Sequence, residues 1–356
     1  TNFGREVMFS YLVAVSFKVL GAGTTAIHVA SAIVGILTVP AVYLVAKEIF
    51  ATDDDVPTQV GALLASLTIA ISYSHVSWSR YGVRAILVPF LAAVTVYFLW
   101  RGFRVRKYWM FIAYGVCLGL SQYTYQAARM LLPLALFGHG IWHRHRNRQR
   151  CLIELALAAG ATLVIFAPMG WYALKHPGGL MQRANQVAVW GAAPGERLSK
   201  LIGQLADTVL TFSLRGDRQP YNLPRRPALN PFLSLAFYAG IAISLRRIRK
   251  PAYALLLAWL CLMCAPAVLA QGGPITKRMI GAWPAVAMLI VVGLLVPYRR
   301  IQGWIEKQAG AASQTLGAVA LVALGAGFIY TGAVAYRDYF LIWARDPRLF
   351  YHFEAG

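Results

Sequence analysis

Three short clusters in this chain set cations among tyrosines and small polar residues, at spacings that suit an oxyanion. The first is Ser79-Arg80-Tyr81-Gly82-Val83-Arg84. The second is Gln122-Tyr123-Thr124-Tyr125-Gln126-Ala127-Ala128-Arg129. The third is Thr276-Lys277-Arg278, just after Gly272-Gly273-Pro274. A guanidinium presents a planar fork of donors that fits phosphate oxygens, and an ammonium adds a compact point charge. Arg80, Arg84, Lys277 and Arg278 are therefore candidates to bind a phosphate, with Arg129, Tyr123 and Tyr125 beside them. The competing reading is snorkelling, in which Arg and Tyr anchor helix ends at a water–lipid boundary. That reading accounts for any one residue. Three clusters at one membrane depth favour a phosphate site.

Acids are few enough to name. Asp53-Asp54-Asp55 is the one cluster, and with Pro57 close behind it reads as a solvated loop at the opposite membrane face. On the face of the basic clusters the carboxylates are Glu6, Glu196, Asp207, Asp217, Asp338, Asp346 and Glu354. A base that activates a hydroxyl there must come from this set or from upstream. Glu6 is the best placed; its alternative role is favourable charge at a helix N-terminus. His75, near a span end, suits a structural hydrogen bond or a substrate contact. His139, His143 and His145 border a basic run and read as solvated. Cys261 and Cys264 form a CxxC inside one apolar run, which reads as two small core side chains. No zinc-hydrolase, nucleophile-elbow, Walker or dinucleotide motif is present. No metal-binding carboxylate cluster is visible on the outer face, so neither metal nor cofactor is expected.

The elements that carry these residues follow from composition. Hydrophobic residues make up 58% of the 356 and charged residues 13%, against about 25% charged in soluble domains. So few charges cannot cover a water-soluble surface of this size, and ten Trp and eighteen Tyr suit two membrane interfaces. The net charge of +21 lies in short runs between apolar stretches, which excludes nucleic acid as the natural partner and leaves anionic lipid or phosphate.

An all-α polytopic bundle of about ten spans is expected, near 27–46, 59–78, 85–100, 109–122, 129–142, 151–173, 231–245, 252–270, 282–298 and 315–335. The runs Arg101–Lys107, Arg144–Arg150, Arg246–Lys250 and Arg299–Lys307 then share one side, which the positive-inside rule makes cytoplasmic. Residues 1–26 become an extracytoplasmic segment with an interfacial helix at 7–20, the rival reading of that stretch being a short span. Residues 27–173 form an N-terminal membrane bundle, 174–230 an extracytoplasmic loop and 231–356 C-terminal membrane helices. A transporter would show internal repeats and charges in mid-span, and neither is seen.

Several strings carry a resemblance. GREVMFSYLVAVSFKVLG, HVASAIVGILTVPAVYLVAKEIF, SHVSWSRYGVRAILVPF, GLSQYTYQAARMLLPL, GDRQPYNLPRRPALNP and TKRMIGAWP resemble bacterial GT-C membrane glycosyltransferases, relatives of the protein O-mannosyltransferases and the lipid A aminoarabinose transferases. The resemblance implies sugar transfer, with inversion, from a polyprenyl-phosphate donor to an acceptor hydroxyl at the outer face of the plasma (inner) membrane. The acceptor is a protein, a glycan or a lipid alcohol such as an isoprenoid, and a larger membrane complex is a natural partner. It implies a phosphate role for Arg80, Arg84, Lys277 and Arg278. Tyr123, Tyr125 and Arg129 would line the cavity, Asp217 and Asn222 would contact sugar, and Glu6 would be a reserve base. The family's acidic first-loop motif is expected upstream of Thr1. The sequence also departs from many relatives where span 85–100 begins, reading Arg84-Ala85-Ile86 in place of an Asp. A non-catalytic membrane subunit of the same fold, binding lipid or a partner complex, is the alternative.

Overall fold

A computed structural model describes residues 6–143, 147–176, 178, 186, 188–191, 193–217, 219, 222–271, 275–308, 312–347 and 349. Arg144, His145, Arg146, Gly272-Gly273-Pro274 and Glu354 lie outside the described residues. Thirteen α-helices are described: α1 (Met8–Leu20), α2 (Thr24–Phe50), α3 (Thr58–Ile71), α4 (Tyr73–Arg80), α5 (Leu87–Val105), α6 (Tyr108–Ser121), α7 (Leu131–His143), α8 (Arg148–Lys175), α9 (Arg197–Ser213), α10 (Pro231–Arg246), α11 (Pro251–Val268), α12 (Trp283–Gln308) and α13 (Ala312–Tyr336). One isolated bridge, Ala188 to Ala270, is the nearest thing to a strand among the described residues.

Six helices are long and apolar enough to cross a bilayer, and a seventh span arises if α3 and α4 count together. The other expected crossings, near 109–122, 129–142 and 231–245, are apolar helices of 14, 13 and 16 residues. The expected span 59–78 is broken. Ser72 adopts an extended conformation, and α4 turns away from α3 by 55°. No proline marks the break. The bend lays α4 on α2, where a Cβ on Gly35 would stand 2.4 Å from the Ser79 Cβ.

One continuous apolar core runs from Phe9 in α1 to Val296 in α12, so both membrane portions share it. The central helix is α12, whose residues from Trp283 to Val292 are all buried. It crosses α10 backbone to backbone. A Cβ on Gly240 would stand 1.9 Å from the Leu289 carbonyl oxygen, and one on Gly293 would stand 1.8 Å from that of Ala236. Small residues allow such approaches between apolar helices, where dispersion replaces the hydrophobic drive. The start of α10 is set locally: Asn230 caps it by accepting from the Leu233 N–H at 2.9 Å, with Pro231 in the first turn.

The helix α9 is inverted relative to a soluble one. Gln204, Thr208 and Thr211 are buried, while Leu198, Ile202, Leu205 and Val209 are exposed at helical spacing. Such a stripe suits the apolar side of a membrane interface. In α1 the exposed stripe is Tyr11, Val15 and Val19.

The end of the bundle that carries the basic runs is clasped by ion pairs. Glu48 lies between Arg101 and Arg104. Asp53 accepts from Lys250 at 3.0 Å and from the Tyr253 hydroxyl, and Asp55 pairs with Arg247. Burial pulls the Arg247 guanidinium toward neutrality, yet its hydrogen bonds to Tyr253 and Asp55 outweigh that and raise its pKa. Asp53 is therefore a buried clasp, not part of a solvated loop. His139 is not solvated either. Its ring packs among Phe103, Phe111 and Tyr114.

Candidate functional site

Each of the three clusters folds in the same way. An extended residue (Val83, Tyr125 or Ile275) leads into a 3₁₀ turn (84–86, 126–130 or 276–282), which runs directly into α5, α7 or α12. Tight turns of this kind are common where a helix starts. Gly82, ahead of the first, has φ +77, and a Cβ there would meet Ile27 at 2.9 Å. Arg84, Arg129, Lys277 and Arg278 thus ride on turns at the positive ends of three helices. The turn 276–282 packs against both of the others, so the three sequence clusters converge at one end of the bundle. This is the end opposite the ion-pair clasp, because α11 starts at Pro251, next to Lys250 of the clasp, and ends at Val268, two residues before Ala270, whose carbonyl Arg278 approaches at 3.5 Å.

The residues take different positions within this region. Arg84 lies 3.3 Å from the Glu6 carboxylate and holds its guanidinium 5.6 Å over the Tyr125 ring. Glu6 is buried, and neither of its oxygens has a hydrogen-bond partner; the Arg84 charge is what compensates it. A backbone bond from the Met8 N–H to the Tyr123 carbonyl holds α1, and so Glu6, in place. Lys277 sits 5.9 Å over the Trp78 ring. Arg278 donates to the Gln271 carbonyl at 3.0 Å. Arg129 sits on its turn, half-buried.

Other predicted site residues are engaged by the protein itself. Arg80 stacks over Tyr339 and Phe340 at 5.5 and 5.1 Å. The Tyr123 hydroxyl donates to the Ile165 carbonyl at 2.8 Å and accepts from the Met169 N–H at 3.3 Å, which fastens α8. Asp217 is buried and accepts from the Thr276 N–H at 2.9 Å, the Thr276 hydroxyl at 2.6 Å and the Gln219 N–H at 3.2 Å. It anchors the 276–282 turn. Asn222, also buried, approaches the Thr276 hydroxyl at 3.5 Å, and the Trp78 indole donates to that hydroxyl at 3.2 Å. His75 is buried against the Gly35 carbonyl at 3.1 Å.

A further group was not anticipated. Arg226 pairs with the buried Asp338 at 2.7 Å and lies 3.9 Å over Tyr73, whose hydroxyl accepts from the Leu223 N–H at 2.7 Å. Asp338 opens a π-helical stretch, Arg337–Ile342, which brings Tyr339 and Phe340 beneath Arg80. The available signal was Arg225-Arg226 in the 174–230 stretch set against Asp338, an acid with an aromatic neighbourhood. Among the described residues no His, Cys, Asp and Glu group has the makings of a metal site.

The helical bundle has the fold of the GT-C membrane glycosyltransferases. The chain superimposes on ArnT from Cupriavidus metallidurans bound to undecaprenyl phosphate with a TM-score of 0.60, at 14% identity, covering 96% of this chain and 66% of that one. On the oligosaccharyltransferase AglB from Archaeoglobus fulgidus, in complex with an inhibitory peptide and a dolichol-phosphate, the TM-score is 0.57 at 16% identity, covering 93% and 48%. Residues 5–172 match the family model of the dolichyl-phosphate-mannose-protein mannosyltransferases. An uncharacterized protein of Aquifex aeolicus is 22% identical over 173 residues, 49% of this chain and 33% of its own length. The chain thus spans from a third to two thirds of the length of these relatives. The resemblance seen in the sequence strings and the multi-pass membrane architecture are both borne out.

Proposed function

We propose that this chain is the membrane portion of an inverting glycosyltransferase. It takes a sugar from a polyprenyl-phosphate donor to an acceptor hydroxyl at the extracytoplasmic face. The observation that carries the reading is the convergence of three cation-bearing 3₁₀ turns at one end of the bundle. Arg84, Lys277 and Arg278 hold the donor phosphate, with Arg129 at its edge. Charge that develops on the phosphate as the glycosidic bond breaks is then met by fixed donors and helix dipoles. Tyr125, under Arg84, lines the donor site. Arg80 braces Tyr339 and Phe340, Tyr123 fastens α8, and Asp217 and Asn222 act on the site through Thr276. Glu6 stands within reach of Arg84 and is the carboxylate of this chain best placed to orient an acceptor hydroxyl. The relatives whose structures hold undecaprenyl phosphate or dolichol-phosphate support the donor class. The acceptor remains a choice among protein, glycan and lipid alcohol.

The test is transfer in detergent from a panel of polyprenyl-phosphate hexoses and pentoses, with donor affinity measured alongside. Removing one charge-assisted contact costs about 1.5–3 kcal/mol, so Arg84→Ala and Arg278→Ala should each weaken donor binding by roughly tenfold or more. Unchanged binding and rate in both variants would refute the phosphate site.

One observation favours a second reading. Asp217, Asp338 and Glu6 each face a partner within the protein. A lipid-binding subunit without catalysis would look the same. It predicts tight, Arg278-dependent donor binding with no transfer to any acceptor.

A further inference from the structure

The cation run Arg246-Arg247-Ile248-Arg249-Lys250 lies at the clasped end of the bundle, and its members are not used alike. Arg247 is held by Asp55, and Lys250 by Asp53. Arg249 is exposed and faces no carboxylate among the described residues. It lines a cleft of about 460 Å³, whose other walls are Phe137, Gly140 and Ile141 on one face of α7, Ile248 in the turn before α11, and Pro251 and Ala254 in its first turns. That volume falls within the range of small-molecule sites, roughly 300–1,000 Å³. The other wall side chains are apolar, and Arg249 supplies the one cation of the lining. The N-terminus of α11 starts at Pro251 without a side-chain cap, which puts the positive end of its dipole at the same rim.

Gly140 leaves the middle of the cleft without a side chain. It sits inside α7, where glycine costs about 1 kcal/mol relative to alanine. A Cβ there would meet nothing within 4 Å. No packing against the protein therefore requires the glycine. What a side chain at 140 would do is occupy the cleft.

We propose that this cleft is a binding site for an anionic diacyl phospholipid. An acyl chain lies along Phe137, Ile141 and Ala254 over the bare backbone of Gly140, and the headgroup phosphate engages Arg249. Charge complementarity selects this occupant. An apolar-walled groove with one exposed guanidinium at its mouth, at the end of the bundle where Arg246–Lys250 lies, matches an anionic headgroup joined to hydrocarbon. The site is separated from the 3₁₀ turns by the length of α11, about 27 Å, and the proposal does not depend on the reaction proposed above.

The experiment is a titration of delipidated protein in detergent, followed by native mass spectrometry. Phosphatidylglycerol is compared with phosphatidylcholine of the same chains. Wild type should bind phosphatidylglycerol preferentially. Arg249→Glu and Gly140→Leu should each reduce that binding by about tenfold, with lipid-free melting unchanged. Arg300→Glu removes an equally exposed cation of the same end outside the cleft, and should leave binding intact. Equal binding of both lipids would overturn the proposal. So would a loss in Arg300→Glu as large as in Arg249→Glu, or full binding by Gly140→Leu.

Discussion

The pairing of Glu6 with Arg84 decides how each can act. A buried carboxylate whose oxygens lack hydrogen bonds is tolerable because a cation lies 3.3 Å away. Removing that cation leaves an uncompensated charge, a loss that is severe when fully buried. Arg84 retains some exposure, so about 1–3 kcal/mol is expected for Arg84→Gln. The double variant Glu6→Gln with Arg84→Gln should recover most of it, because the buried charge has gone. Thermal unfolding in detergent reads this directly; additive losses would mean the two side chains do not interact. Asp217 poses a different question. It accepts both the N–H and the hydroxyl of Thr276, so Asp217→Ala should lower stability by about 2–3 kcal/mol, the cost of orphaned buried donors. Donor affinity should fall with it, since the 276–282 turn carries Lys277 and Arg278. A variant that melts normally yet loses kcat alone would return Asp217 to a direct role on sugar.

At the scale of elements, the α10–α12 crossing is where geometry leaves least freedom. Gly293→Ala drives a methyl into the Ala236 carbonyl, and backbone cannot rotate aside as a side chain can. We expect a loss of about 2–3 kcal/mol, at the upper end of overpacking costs. Gly160→Ala on α8 is the control. It meets nothing within 4 Å and should stabilise by up to about 1 kcal/mol through helix propensity. Equal melting shifts in the two variants would show that the crossing is looser than described. The long helices were legible in the sequence because an apolar run near 20 residues has few other uses. The cationic turns were legible because Arg and Lys at span ends stand out against so few charges. The break at Ser72 was not, since no proline or glycine marks it and the bend follows from packing against Gly35. The partners of Arg80 were also hidden. Tyr339 and Phe340 lie more than 250 residues away, and a π-helical stretch, which no local pattern announces, brings them into place. Asp53 and His139 misled for one reason: flanking charge suggested solvent, while Tyr253 and a ring of aromatics supplied burial.

For the molecule as a whole, the two ends of the bundle are chemically distinct, and this has a consequence for orientation. At one end the acids Glu48, Asp53 and Asp55 neutralise part of a larger cation excess, with Arg249, Arg299 and Arg300 left on the surface. At the other end cations stack on aromatics, as Arg226 does over Tyr73, or lie on turns. Loops rich in exposed Lys and Arg stay on the cytoplasmic side during insertion. The clasped end should therefore face the cytoplasm and the three turns, with α9, should face outward. Cysteines placed at Asp207, exposed on α9, and at Arg300, exposed at the clasped end, test this without touching the proposed site. A membrane-impermeant maleimide should label Asp207→Cys in intact cells and Arg300→Cys after the membrane is opened, measured against the background of the four native cysteines. The reverse pattern would place the turns on the cytoplasmic side. A donor presented at the outer leaflet would then be out of reach, and the proposed reaction would fail on geometry even if every residue assignment held.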